Sequence, residues 1–258
     1  MTFDINAADD AIHSDYAVII DGGLFNLATG DDAIHASESI DINDGAFNIS
    51  KCYKGVESAL ITINGGNISI VSTDDSFNAT RERATEQNDG SCLYIKGGLT
   101  VLNTSGGDGL DSNGNIEMTG GTLIVHGPPS QPEVGIDVNG SFNMNSGFLF
   151  ATGPNSGNMI EGVSNSSGQY SLKIIIKSTL SSSMLFHLED AEGNNIVTFK
   201  PVRTIYYIIF SSAGLHSGSS YSIYTGGNST GIYTDGIYSG GTLRKTFTVT
   251  SRVTSVSF

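Results

Sequence analysis

The chain contains no tryptophan, only two cysteines and five prolines, and 12 basic residues against 26 acidic ones. Cys52 and Cys92 are too few for a disulfide framework or a cysteine-based metal cluster, which leaves one disulfide or two buried thiols as alternatives. The shortage of Lys and Arg argues against a nucleic-acid partner, because such partners require a basic surface. No stretch is long and apolar enough to cross a bilayer, so no membrane insertion is expected.

Catalytic signatures are also scarce. No spacing typical of a Ser/His/Asp or Cys/His nucleophile stands out in the sequence. Acidic residues are so numerous that no two of them can be singled out as a glycosidase pair. A non-catalytic role is therefore favoured over an enzymatic one.

Glycine, by contrast, is abundant, with 33 residues, and Asn, Ser and Thr are frequent as well. This composition indicates many tight turns and an all-β surface. The strongest pattern is an internal repeat, because the run DDAIH occurs at residues 9–13 and again at residues 31–35. Fainter copies occur at residues 54–58, 74–79, 107–112 and 134–137. Repeats of this length are typical of solenoid proteins.

Two ladders of residues follow the repeat with the same irregular period. The first consists of the apolar anchor of each copy: Ile12, Ile34, Val56, Phe77, Leu110, Ile136 and a seventh candidate, Ile160. The second consists of glycines: Gly23, Gly45, Gly66, Gly98, Gly121 and Gly147. Both ladders lengthen at the same interval, so coincidence does not explain them.

Each unit has short strands with period-two alternation on either side of its glycine, as at residues 60–63 and 67–70. A unit of about 22 residues with three short sides predicts one coil of a single-stranded parallel β-helix. A leucine-rich repeat would need its Leu and Asn signature, and a β-sandwich would not keep this register. We therefore predict an all-β fold with a β-helix over residues 1–164.

The coil register is lost after about residue 163, where longer strands begin. Residues 165–258 predict a small antiparallel β cap at the C-terminal end of the helix, because solenoids need their exposed edge covered. A hairpin turn is predicted at residues 190–195, and the alternation resumes over residues 246–258. The long interval of the two ladders holds a polar insertion at residues 80–90, which should loop out of the coils.

Polar residues recur in the same register. Two positions before the anchors lie Asp10, Asp32, Lys54, Asp75 and Asp108, and one position after them lie His13, His35, Glu57, Asn78, Asp111 and Asp137. Adjacent strands are about 4.8 Å apart and calcium binds oxygen at about 2.4 Å, so acids of neighbouring coils can share one ion. The predicted calcium ligands are Asp9, Asp10, Asp31, Asp32, Glu57, Asp74, Asp75, Asn78, Asp108, Asp111, Asn113 and Asp137.

Other roles for these residues stay open. Asp and Asn also favour turns, where their side chains bond to the backbone without a metal. His13 and His35 could ligate a transition metal or serve as hydrogen-bonding groups at a coil corner. Lys54 is a weak candidate for the base of a lyase, or a charge that neutralises the carboxylates around it. Lys54, Arg81 and Arg83 are the candidates for binding an acidic sugar.

The motifs GDDAIHA at residues 30–36, KGVES at 54–58, TDDSFNA at 73–79 and GGDGLDSNG at 106–114 resemble a calcium-containing β-helix carbohydrate-binding family, first described as a domain of unknown function. Characterised members bind cellulose and polygalacturonate, and the family is structurally related to family 9 pectate lyases. The resemblance covers roughly residues 8–160. It implies a right-handed helix, calcium between the coils and extracellular binding of acidic polysaccharide. Without tryptophan, tyrosines are left to stack on sugar rings.

Three functions follow as hypotheses. The chain is a non-catalytic binder of polygalacturonate-like or cellulosic polysaccharide, a calcium-dependent pectate lyase, or a coat or fibre subunit that self-associates end to end through an open first coil. No signal peptide is visible, so an extracellular or cell-surface location depends on the resemblance. Glycosylation sequons occur at Asn48, Asn67, Asn78, Asn103, Asn139, Asn165 and Asn228.

Overall fold

The computed structural model describes residues 1–81 and 87–258, whose regular secondary structure is almost entirely β-strand. The coils are built from β1 (Thr2–Ala7), β2 (Ile12–Ser14), β3 (Ala17–Ile20), β4 (Leu24–Thr29), β5 (Ile34–Ile42), β6 (Ala46–Cys52), β7 (Val56–Ile63), β8 (Asn67–Ser72), β9 (Phe77–Ala79), β10 (Cys92–Ile95), β11 (Leu99–Thr104), β12 (Leu110–Ser112), β13 (Asn115–Met118), β14 (Thr122–His126), β15 (Ile136–Val138), β16 (Phe142–Met144) and β17 (Phe148–Gly153). A 3₁₀ helix follows at Gly157–Met159. The remaining strands are β18 (Ser171–Leu180), β19 (Phe186–Asp190), β20 (Asn195–Phe199), β21 (Ile205–Ser211), β22 (Ser220–Thr225), β23 (Asn228–Ser229), β24 (Tyr238–Ser239), β25 (Thr242–Thr248) and β26 (Val253–Ser257).

The coils form two parallel sheets. Sheet A takes one strand from each coil, in the order β1-β4-β6-β8-β11-β14-β17. Sheet B joins the other two sides of the coil, because the long strands β5 and β7 run through both of them. Strands β2, β9, β12 and β15 extend one of these sides, and β3, β10, β13 and β16 extend the other. The predicted all-β parallel β-helix is therefore confirmed, with about six turns.

The anchors stack directly on one another inside this helix. Consecutive anchors from Ile12 to Ile136 are paired in register with one another. The five that follow Ile12 are fully buried. The seventh candidate, Ile160, is also buried but lies at the end of the 3₁₀ helix instead of in a strand.

The glycine ladder marks the corner where each coil enters sheet A. All six glycines have positive φ, from 78° to 133°. A Cβ on Gly98 would also lie only 2.4 Å from the carbonyl oxygen of Gly66 in the coil before it. Glycine is needed here both for the backbone conformation and for the close approach of successive coils.

The later strands extend sheet A, add the four-stranded sheet C and form one further two-stranded pair, β23 with β24. Strand β21 pairs antiparallel with β17 and with β18, and β26 lies parallel to β18. Strands β20-β19-β22-β25 form an antiparallel sheet C, which includes the predicted hairpin at residues 190–195. The alternating segment at residues 246–258 is divided, since β25 ends at Thr248 in sheet C and β26 begins at Val253 in sheet A. A domain boundary between residues 164 and 165 stays a prediction.

Sheet C packs against the side of the last coils. Ile124 of β14 and Phe150 of β17 are buried together with Phe186 and Phe199, in a core separate from the coil interior. The rings of Phe150 and Phe199 stack with centroids 4.0 Å apart. The strands predicted to cap the end of the helix thus also cover one of its faces.

Two polar contacts fasten these strands to the coils. The Arg203 guanidinium donates to the carbonyl oxygens of Thr104, at 2.5 Å, and of Gly127. The backbone N–H of Gly135 donates to the Tyr207 hydroxyl at 2.6 Å. Both contacts satisfy backbone groups where coil strands end.

Cys52 and Cys92 are separate buried thiols. Burial, with a smaller contribution from nearby Asp32, raises the pKa of Cys52 to about 12. Among the described residues, no helix has the length and apolar character needed to span a membrane.

Candidate functional site

The recurring polar residues lie where the chain leaves sheet A and enters sheet B. In the second coil β4 ends at Thr29 and β5 begins at Ile34, so that Asp31 and Asp32 form the corner. We call the residues two positions before the anchors the corner column, and those one position after them the outer column. Members of the outer column are paired from coil to coil on sheet B.

The carboxylates of the corner column bind the backbone of the next coil. The N–H of Asp32 donates to Asp10 Oδ1 at 3.0 Å, and the N–H of Asp108 donates to Asp75 Oδ1 at 2.7 Å. The N–H of Val134 donates to Asp108 Oδ1 at 2.5 Å. Aspartate recurs here because it satisfies corner N–H groups that lie outside the strand ladders. One oxygen of each carboxylate is used in this way, and the second is left for another partner.

Burial makes three carboxyls of this column difficult to ionise. Asp32, Asp75 and Asp108 are each at most 9% exposed. Burial, followed by the negative charge of Glu57, raises the pKa of Asp32 to about 7. Burial, followed by Asp74, raises the pKa of Asp75 to about 7, and burial raises that of Asp108 to about 8. A cation beside these groups would favour their charged forms.

Between Asp32 and Asp75 the corner column carries Lys54. Its ammonium group pairs with Glu57 Oε2, which also accepts a hydrogen bond from Asn78 Nδ2 at 2.9 Å. Burial lowers the pKa of Lys54, but the bond to Glu57 and the surrounding charges outweigh it and raise the pKa above its usual value. Two buried oxygens, Asp32 Oδ1 and Asn78 Oδ1, have no hydrogen-bond partner among the described residues. Such oxygens are costly, and both belong to predicted calcium ligands.

Two acids that were not predicted as ligands join the far end of the columns. Burial and then Asp74 and Asp137 raise the pKa of Glu133. Burial raises the pKa of Glu161. The hydrogen bond from the backbone of Val138 lowers it, but burial and the charge of Asp137 together outweigh that bond. The register carried the signal for both: Glu133 precedes its anchor by three residues, as Asp74 does, and Glu161 directly follows the candidate anchor Ile160.

Two clusters of three potential metal ligands occur in the part of the chain that the structure describes, both in the first two coils. One consists of Asp9, Asp10 and Asp31, and the other of Asp10, His13 and His35. Within each cluster the ligand atoms lie within 4.8 Å of one another. The structure therefore brings the predicted acids of the first corner together, and it adds the two histidines to them.

Asn113 belongs to a ladder of polar side chains between coils. Its Nδ2 donates to Thr80 Oγ1 at 2.9 Å, and its Oδ1 accepts from Asn139 Nδ2 at 3.1 Å. This is the metal-free use of stacked amides that the sequence left open. Asp111 is paired with Asp137 of the next coil in the outer column. A ligand role for these three predicted residues, Asn113, Asp111 and Asp137, stays a prediction.

Arg81 lies two residues after the end of β9, at the start of the insertion. Its side chain is 32% exposed, with Nη1 3.9 Å from Glu38 Oε2, while its backbone N–H donates to Asp89 Oδ2 at 2.8 Å. A long, partly exposed ion pair contributes little stability, so the guanidinium can exchange Glu38 for an acidic ligand. Arg83, the other arginine predicted to bind sugar, lies outside the described residues.

Sheet C carries an aromatic cluster. The rings of Tyr224 and Tyr238 have centroids 6.2 Å apart, and His187 stacks on Tyr238 at 3.8 Å. Glu189 Oε2 lies 3.3 Å from His187 Nε2. Both tyrosines are partly exposed. Aromatic faces beside a carboxylate offer stacking and hydrogen bonding to one ligand.

A family model described as carbohydrate-binding domain-containing protein matches residues 1–131. The chain belongs to this family. The matched residues include the whole corner column and every predicted calcium ligand except Asp137. Membership of the carbohydrate-binding family indicates a carbohydrate-binding role for the coils. No curated protein and no solved structure matches the chain at significant similarity.

Proposed function

We propose that this protein is a non-catalytic, extracellular or cell-surface binder of acidic polysaccharide, and that calcium held between its coils takes part in the binding. The observation that carries the proposal is the corner column of a carbohydrate-binding scaffold. Among the described residues, only Lys54 supplies a positive charge to the column's buried carboxyls Asp32, Asp75 and Asp108, and Asp32 Oδ1 has no hydrogen-bond partner.

The donor set fits calcium better than softer metals. The carboxylates of Asp32, Asp74, Asp75 and Asp108 and the amide oxygen of Asn78 are hard donors distributed over successive coils. Calcium prefers such oxygens and takes six to eight of them, water included. When bound, calcium would supply the missing positive charge and coordination positions that water or a sugar carboxylate can fill. Bound calcium would also favour the charged forms of Asp32, Asp75 and Asp108, whose pKa values burial raises.

An acidic ligand follows from the charge of the coils. The protein carries a formal net charge of -14, which by itself repels a polyuronate. Bound cations reverse this repulsion locally, and Arg81 adds a guanidinium near the insertion. An extracellular or cell-surface location belongs to the proposal, because weak calcium modules work where the ion is abundant.

Lys54 supports binding in preference to lyase chemistry. A lysine base needs a lowered pKa so that it is neutral when it abstracts a proton. The pKa of Lys54 is raised, and its ammonium group is paired with Glu57. Its charge instead balances the carboxylates around it.

Retention on immobilised polygalacturonate tests the proposal. We expect the protein to be retained in calcium and released by EGTA, and Asp75→Asn with Asp108→Asn to weaken retention at least about tenfold, because both changes remove charge while keeping an acceptor for the backbone. Asp235→Asn, at an exposed acid of the later strands, is the matched control. Retention that ignores both EGTA and the double substitution would refute the role of calcium.

A neutral polysaccharide is the second candidate, and the aromatic cluster of sheet C favours it. Tyr224 and Tyr238 offer ring faces, and Glu189 offers a carboxylate beside them. If cellulose is the ligand, Tyr224→Ala and Tyr238→Ala should each reduce cellulose pull-down several-fold without any effect of EGTA. Unchanged pull-down in both variants would remove this candidate.

A further inference from the structure

The first two coils bring two imidazoles and one carboxylate together. His13 and His35 occupy the same position in adjacent coils because Ile12 pairs with Ile34. Their rings meet edge to face, with centroids 4.9 Å apart. Asp10 lies at the corner of the first coil, with Oδ2 2.7 Å from His13 Nδ1 and 3.4 Å from His35 Nδ1.

We propose that Asp10, His13 and His35 form a binding site for a borderline divalent metal ion of the Zn²⁺ class, which links the first coil to the second. Imidazole nitrogens with one carboxylate oxygen are a donor set that zinc and its first-row neighbours prefer, whereas calcium prefers oxygen alone. The proposal goes beyond the proposed function and does not depend on sugar binding.

The distances suit such an ion. Zinc binds nitrogen and oxygen at about 2.1 Å, so neighbouring ligand atoms of a tetrahedral site lie about 3.4 Å apart. The separation of Asp10 Oδ2 from His35 Nδ1 already has this value. His13 Nδ1 lies 2.7 Å from the same oxygen, so this nitrogen has to move away from the oxygen by less than about 1 Å to reach that separation. The fourth position is left to water or to the acids that cluster with Asp10, namely Asp9 and Asp31.

A second carboxylate supports the role of His13 as a ligand. Its other ring nitrogen, Nε2, lies 3.3 Å from Asp15 Oδ1. Metal-binding histidines commonly donate their second N–H to a carboxylate, which fixes the tautomer and orients the ring.

The potential metal-binding atoms of the outer column change from nitrogen to oxygen after the second coil. Beyond His35 the column continues with Glu57 and Asn78, which donate oxygen. Nitrogen donors of the column are therefore confined to the first two coils. The side chains of Asp10 and His35 are 13% and 17% exposed, and that of His13 is 48% exposed, which gives an ion access from solvent.

Titration calorimetry with ZnCl₂ alone, on the full chain after removal of metal by chelator, tests the site. We expect one ion to bind at micromolar or lower concentration. His13→Gln with His35→Gln should weaken it at least about 30-fold, and Asp15→Asn should weaken it less, because it removes only the orienting carboxylate. The control His216→Gln removes an exposed histidine far along the sequence, and this variant should bind zinc as tightly as the parent does. Cobalt substitution should give visible d–d bands in the parent that the double variant lacks.

Circular dichroism spectra of the metal-free parent and double variant are compared, and matching spectra would show that the double variant is folded. Equal zinc affinity in the parent and the double variant, or no binding by the parent at about 0.1 mM ZnCl₂, would overturn the proposal. Polygalacturonate retention in calcium is measured on the same variants. Loss of zinc binding with unchanged retention separates this site from the proposed function.

Discussion

The outer face of sheet A is polar over the first coils and apolar over the last ones. One outward-facing column reads, from the first coil onward, Asp4, Asn26, Asn48, Ser69, Val101, Ile124 and Phe150. Over the first coils the column is exposed or partly exposed, and Asn26 Nδ2 donates to Asp4 Oδ1 at 2.7 Å. Ile124 and Phe150 are fully buried beneath sheet C.

All residues of this column occupy the same position within their coils. The two ends of the column therefore differ in environment only because sheet C covers one of them. In the first coils a side chain at this position contacts solvent and its stacked neighbours. In the last coils it forms half of an interface between two sheets. A change at the covered end should therefore cost much more stability than one at the open end.

Phe150→Ala should have the largest effect on this difference. It removes a ring that stacks on Phe199 at 4.0 Å and leaves a cavity between the sheets. We expect a loss of about 3–5 kcal/mol in the free energy of unfolding, measured by denaturant titration. Hydrogen exchange should show sheet C losing protection before the coils do. Equal loss of protection in both would show that sheet C and the coils unfold as one unit.

Arg203→Ala should have the next largest effect. The substitution removes the guanidinium that binds the carbonyl oxygens of Thr104 and Gly127 at the ends of covered strands. We expect a loss of about 2 kcal/mol by thermal or denaturant unfolding. The control is Lys245→Ala, at an exposed lysine of β25, which should stay within about 0.5 kcal/mol of the parent. Similar losses for both variants would contradict a fastening role for Arg203.

His126 of β14 makes the stability of the covered end depend on pH. Burial, followed by the charge of Arg203, lowers its pKa to about 4, against about 6.5 when unfolded. Between these values the unfolded chain binds one more proton, so this contribution is complete above pH 6.5 and is lost as the pH falls to 4.

His126→Phe keeps a ring against Phe199 and removes the titration. Between pH 7 and pH 4 the parent should therefore lose about 3 kcal/mol more than the variant in the free energy of unfolding. The difference between the two proteins isolates His126 from the buried acids, which titrate in the opposite sense. Parallel pH profiles would show that His126 is not buried as a neutral ring.

Asn48→Val tests the open end and should have the smallest effect. It places an apolar side chain where no layer covers the column. We expect the free energy of unfolding to change by no more than about 0.5 kcal/mol. Asn48 is exposed, so solvation differs little between the folded and unfolded states. A loss above 1 kcal/mol by denaturant titration would mean that this end is also covered.

The sequence predicted the coils well because each coil repeats a local pattern. Six anchors and six glycines occupy the positions that the period assigns to them, since a residue such as Phe77 must meet Val56 of the coil before and Leu110 of the coil after. The covering of sheet A was missed because the apolar residues Val101, Ile124 and Phe150 fit the interior of a strand equally well by their spacing.

The site was predictable in its residue types and less so in its contacts. The corner column is a consequence of register, and Glu133 could have been found by the same offset. The ion pair of Lys54 with Glu57 and the unpartnered oxygen of Asp32 depend on side-chain conformations that no spacing specifies. The approach of both histidines to Asp10 follows from register only once the corner geometry is known.

The positive φ of the ladder glycines also bears on how such a chain can change in length. Every coil enters sheet A through the same backbone turn, from Gly23 to Gly147, so the start of one coil is interchangeable with the start of the next. A gene could therefore gain or lose about 22 codons between two equivalent glycines and still join compatible ends. A change of one whole turn would keep the register of the remaining coils, and each added turn would bring its own copy of the corner.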